Sequence, residues 1–193
     1  LLKALDPALD KNQDIHKIFV QVRRTVDWFD LLYTGQTCQR WLCYFLGLTA
    51  PLHSSRMAQL CQRLDVPQRQ RDLLTLQRPA GFAVLRKLEH RRPSSRPPQP
   101  SDLYRWLKPL DIELLLFMMA HTDQEKVRQW ISHFITSLRD EKTLLDGHDL
   151  EKLGIPPGPV YKTILDELLR ARLNGRVSTA EDEKELVLKK YRD

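Results

Sequence analysis

Strand patterning is missing from this 193-residue chain: no stretch alternates apolar and polar residues with period two, which argues against a sheet. No apolar run reaches the length needed to span a membrane, and no secretory signal is recognisable. Glycine is scarce, at 7 residues, and none of it forms a Gly-rich phosphate loop. Cysteine is limited to Cys38, Cys43 and Cys61. Their odd number and the lack of a C-x-x-C pattern fit free thiols in a reducing compartment. The six histidines are scattered, so no metal-ligand spacing forms. The pair Asp-x-Asp does not occur. The chain opens at Leu1 in mid-pattern and reads as a piece of a longer protein.

What is present is leucine at helical spacing, punctuated by 12 prolines. The expected fold is all-α, an elongated array of short helices with a helical body and a smaller helical tail. Ile15, Ile18, Val22, Val26, Phe29 and Tyr33 form one face of a first helix, capped by Asp14. Gly35 ends it. Gln36 to Leu48 follows with Trp41, Leu42, Phe45 and Leu46, whose aromatics read as core rather than a base-stacking platform. Ser54 or Ser55 caps a third helix, and Val66-Pro67 opens a fourth over Gln68–Leu76. Pro79-Ala80-Gly81 is expected to break the chain before a helix from Phe82 to His90. Residues 91–101 (RRPSSRPPQPS) are rich in Pro and Ser and read as a linker or exposed loop. Ser101 and Asp111 cap two further helices. The second, Ile112–His121, is apolar all round and is therefore central. Thr122 with Glu125 forms a capping-box pattern opening a helix to about Leu138. The expected division is 1–92 and 102–140 for the body, 93–101 for the connection and 141–193 for the tail.

Charge is uneven. The net is +6. Residues 53–108 hold 12 Lys/Arg against 4 Asp/Glu, a net of +8, which leaves the remainder at −2. Ten of the twelve are Arg, whose planar fork suits bidentate phosphate contact. Two readings stay open: a solvated basic surface, or a phosphate-binding one.

The tail has the strongest local signals. Gly154 supplies a helix stop, Pro156 and Pro157 stiffen the turn, and Pro159 suits the first position of the next helix. Asn174-Gly175 ends that helix, and Thr179 with Asp182 resembles a capping box. This stretch resembles the C-terminal region of the class II tRNA nucleotidyltransferase/poly(A) polymerase family. The resemblance is carried by Gly147, Asp149, Leu150, Leu153, Gly154, Ile155, Pro157, Gly158, Pro159, Ile164, Leu165, then Ala171-Arg172-Leu173-Asn174-Gly175 and Thr179, Asp182, Glu183. It extends back through Leu103-Tyr104-Arg105, Glu113 to Phe117, and Arg63-Leu64 with Arg69, Arg71 and Asp72.

The resemblance implies a body and tail that hold the elbow and acceptor top of tRNA. Catalysis in that family belongs to an N-terminal head, where paired Asp residues hold divalent metal. Mg2+ and ATP or CTP are therefore expected only for that head, with no cofactor on this chain and no catalytic residue in it. Asp27 and Asp30 read as helix-surface acids, and Glu181-Asp182-Glu183 as acids complementing a helix dipole. The implied partners are tRNA and the head and neck of the same polypeptide, in the cytoplasm and away from membranes; a tail of this kind can also pair with a second copy. The expected RNA-binding residues are Arg69, Arg71, Arg86, Lys87, Arg91 and Arg92 in the body. In the tail they are Gly158, Val160, Tyr161, Lys162 and Arg172. The Gly154–Pro159 turn reads equally as a helix-hairpin-helix offering N–H groups to phosphate or as a rigid corner between helices. Arg170, Arg172 and Arg176 either extend the grip or complement the helix end. Two other functions fit the sequence: a helical protein-interaction domain, and a DNA-binding hairpin module.

Overall fold

The computed structural model describes residues 5–7, 9, 15–91 and 96–191. Every regular element among them is helical, and none of the helices is long and apolar enough to cross a membrane. In chain order they are α1 (Ile15–Asp30), α2 (Arg40–Leu48), α3 (Ser54–Arg63), α4 (Gln68–Asp72), α5 (Arg78–Glu89), α6 (Pro100–Leu107), α7 (Ile112–His121), α8 (Glu125–His133), α9 (Gly147–Lys152), α10 (Val160–Leu173) and α11 (Ala180–Tyr191). Two π-helical turns, Leu73–Gln77 and Phe134–Leu138, continue α4 and α8. The chain forms two compact units. One is Leu1–Ser95 with Trp106–Ser132, the other Arg96–Arg105 with His133–Asp193.

The first unit is built on α7. Every residue from Ile112 to Ala120 is buried, because α1, α2 and α5 all pack against this helix. An apolar circumference is stable only when it is covered on all sides. The helix α1 contributes Val22, Val26 and Phe29, and α2 contributes Leu42, Cys43 and Leu46. On α5, Gly81 faces Leu114 so closely that a Cβ there would lie 2.9 Å from Leu114 Cδ2. The one acid of α7, Glu113, is buried, and its Oε1 accepts the Gln39 amide at 2.9 Å, at the start of α2.

Pro79 does not break the chain as its sequence context implies. The backbone stays helical from Gln68 through Glu89. Proline has no N–H to give and its ring crowds the carbonyl four residues back. The π turn at Leu73–Gln77 widens the helix just ahead of it, and Pro79 falls in the first turn of α5.

The second unit has a small core of Leu145, Leu150, Ile155, Ile164, Leu168 and Val187. Gly154 and Gly175 both adopt positive φ, +83° and +68°. Each is followed by an amide that reaches back five residues, Ile155 N–H to the Leu150 carbonyl and Arg176 N–H to that of Ala171. These are Schellman closures, and the first brings two core side chains together. The same closure ends α3, with Asp65 at φ 47° in the glycine position and Val66 N–H bonding the Cys61 carbonyl.

The caps follow the sequence signals unevenly. Thr179 and Asp182 form the expected reciprocal box. Thr122 makes only half of one: it is buried, its hydroxyl accepts the Gln124 amide at 3.2 Å and donates to Glu89 at 2.7 Å, and α8 starts at Glu125. His53 rather than Ser54 or Ser55 caps α3. Ser101 lies inside α6, and Asp111 precedes α7 without a side-chain cap bond. Asp14 lies outside the described residues.

Candidate nucleic-acid interface

In the first unit Arg86 and Lys87 are exposed in the last turn of α5, and Arg91 follows, half-buried. Cations at a helix C-terminus complement its dipole. The Lys87 ammonium lies 3.7 Å from the Trp106 ring centroid, a close cation–π contact that holds its position. Arg69 is exposed on α4. Arg71 beside it is turned inward instead: its Nη2 donates to the Val66 carbonyl at 3.0 Å, closing the turn before α4. Arg71 is thus part of the local scaffold rather than a free phosphate ligand. Arg92 lies outside the described residues.

In the second unit the turn offers fewer donors than its sequence allows. Of the four non-proline amides from Ile155 to Tyr161, Ile155 bonds Leu150 and Tyr161 bonds Gly158, both through carbonyls. Gly158 and Val160 remain, both exposed, with exposed Lys162 two residues on. The Tyr161 hydroxyl donates to the Ile155 carbonyl at 2.9 Å and pins the corner. Gly147 packs beneath, where an added Cβ would sit 3.4 Å from the Tyr161 ring.

Arg172 is engaged by partners within its own unit. Its Nε pairs with Glu141, its Nη1 donates to the Ser178 carbonyl at 3.2 Å, and the same nitrogen lies 3.5 Å from Glu183 Oε1. Glu183 is fully buried, and its Oε2 accepts the amides of Leu144 and Leu145, both at 2.9 Å. The group ties α11, the end of α10 and the segment before α9 into one network. In the sequence Glu183 reads as one of the dipole-complementing acids at a helix start. Its spacing to Val187 and Tyr191, four and eight residues on, marks an inward position.

Sequence reasoning also missed Arg78. It is 3% exposed, and its Nη2 donates to the carbonyls of Thr49, Ala50 and Leu52 at 2.9, 3.1 and 2.8 Å. Burial pushes its pKa down. Leu74, Arg78, Gly81, Leu85 and Leu88 step by four and three along one stripe. The expected break at Pro79 hid that register.

Among the described residues no three His, Cys, Asp or Glu side chains gather as a metal-holding group. No family model matches the chain. It is 37% identical over 189 residues to the A-adding tRNA nucleotidyltransferase of Geobacter sulfurreducens (strain ATCC 51573 / DSM 12127 / PCA). The chain is similar to a region of a tRNA nucleotidyltransferase. The match takes in 98% of this chain but 22% of that enzyme, so the chain spans about a fifth of its relative's length. Two solved structures of a tRNA-processing enzyme share the fold, an apo form at TM-score 0.60 and one with CTP at 0.61. Each is 22% identical and covers 84% of this chain, against 38% and 41% of the respective solved chains.

Proposed function

We propose that this chain is the RNA-holding C-terminal portion of a tRNA nucleotidyltransferase, gripping folded tRNA at the elbow and acceptor top. Nucleotide transfer, with its Mg2+ and ATP or CTP, belongs to a head elsewhere in the same polypeptide. The observation that carries this reading is the match to the A-adding enzyme over almost the whole chain. The physics of the surface supports it. Duplex RNA shows phosphates and 2′-hydroxyls on its accessible face, and its deep groove is hard to read, so a holder senses shape and backbone. Exposed Arg69, Arg86 and Lys87 supply charge in the first unit; Lys162 and the Gly158 and Val160 amides supply donors in the second.

The test is charge reversal at Arg69, Arg86 and Lys87 to Glu, leaving Arg71 to hold its turn. Affinity for tRNA should fall, and the slope of log affinity against log salt should flatten as fewer counterions are released. Helical circular dichroism should stay unchanged. An unaltered affinity would show that RNA binds another face.

A further inference from the structure

A cleft of about 400 Å³ opens beside the connection from α2 to α3. His53, Ser54, Arg78, Phe82 and Arg86 line it, and no acidic residue does. Three features meet there. The first is the N-terminus of the ten-residue α3, whose first amides have no intrahelical acceptor. The cap that His53 offers them is slight: its Nδ1 accepts from Ser55 N–H at 3.5 Å. The second is Arg78. Its guanidinium is anchored through Nη2 on the end of α2, it stacks 5.2 Å from the Phe82 ring centroid, and its buried Nε has no hydrogen-bond partner among the described residues. The ion pairs found among the described residues give it no carboxylate. The third is Arg86, exposed and eight residues further along the same helix.

A buried guanidinium held by carbonyls but by no carboxylate, beside a helix N-terminus and in a cleft whose lining holds no acid, leaves positive charge for an anion to neutralise. The anchoring carbonyls fix the guanidinium before any ligand arrives, which lowers the ordering cost of binding. We propose that this cleft binds a phosphate group, held by Arg78, Arg86 and the first-turn amides of α3. If the chain is the RNA-holding part argued above, the phosphate is a backbone phosphodiester of tRNA; that reading supplies only the source. A small phosphate-bearing molecule presents the same chemistry.

The experiment uses the whole chain, isotope-labelled, titrated with inorganic phosphate and, separately, with chloride at matched ionic strength. The amide resonances of Ser54, Ser55 and Arg56 should shift saturably with phosphate alone. Arg86→Gln lies on the surface and should keep the fold while weakening phosphate binding about tenfold, the size of one lost charge-assisted contact. Added tRNA should then displace phosphate from the wild-type chain. Amides that do not move, or that drift equally with chloride, overturn the site even if tRNA still binds elsewhere. Saturable phosphate binding that Arg86→Gln weakens and tRNA fails to displace would keep the site, and would assign it to a small phosphate compound instead of RNA.

Discussion

Glu183 shows how much one side chain can organise. Its two carboxylate oxygens serve different partners: Oε2 takes the Leu144 and Leu145 amides, and Oε1 faces Arg172. Removing it strands two amides and leaves Arg172 with the Glu141 carboxylate and the Ser178 carbonyl. Glu183→Ala should cost about 3–5 kcal/mol, the range for breaking a buried pair. Glu183→Gln keeps an acceptor oxygen for the amides and should cost less than half as much. Urea unfolding of both variants checks the order; equal losses would mean that the hydrogen bonds contribute nothing. Asp182 next to it makes a pH prediction. The amides of Ser178 and Thr179, with both hydroxyls, hold its carboxyl at about 2, below the ordinary 3.8. A depressed carboxylate stabilises the fold above its unfolded pKa and ceases to do so as pH falls through the folded one. In thermal melts Asp182→Asn should therefore sit below wild type at pH 7. The gap should close between about pH 4 and pH 2. A gap that persists at pH 2 would show that the charge is not what matters.

At the scale of elements, the closures at Gly154, Gly175 and Asp65 form a natural comparison. All three hold positive φ at a helix end, but only Asp65 does so with a side chain. Asp65→Gly should raise stability by up to about 1 kcal/mol, and Gly154→Ala should lower it by about as much, both read from the denaturant midpoint. Glycine patterns make the ends at Gly154 and Gly175 visible in the sequence, whereas Asp65 carries no such signal, and the apolar circumference of Ile112–Ala120 marks α7 as central. Two things were hidden, for physical reasons. Proline reads as a break because it cannot donate, yet a π turn at Leu73–Gln77 absorbs the mismatch. Read as a break, Pro79 splits one continuous helical run into two and leaves Arg78 without a face. Thr122 looked like a cap because the spacing to Glu125 is right. Its hydroxyl accepts the Gln124 amide but donates to Glu89 rather than closing a box with Glu125, and only the fold brings Thr122 and Glu89 together.

On the scale of the whole chain, charge was legible but its allocation was not. Composition located the positive field in residues 53–108. It did not separate Arg86 and Lys87, which face solvent, from Arg71, which holds a turn carbonyl, or from Arg78, which is buried, holds three carbonyls and lines the cleft. Nor did it show that Arg172 is committed to Glu141 and Glu183. The candidate interface is thus smaller than the count of basic residues implies, and it relies on backbone amides as well as side chains. Under the proposed function, such a surface would recognise the spacing of phosphates on a folded RNA more than its bases. The most direct test is a binding titration of the chain against full tRNA, a tRNA minihelix and duplex DNA of equal charge, at two salt concentrations. A holder of the elbow should prefer full tRNA at both. Equal, weak binding to all three that vanishes together at the higher salt would contradict the account, and would leave a basic surface with no shape to read.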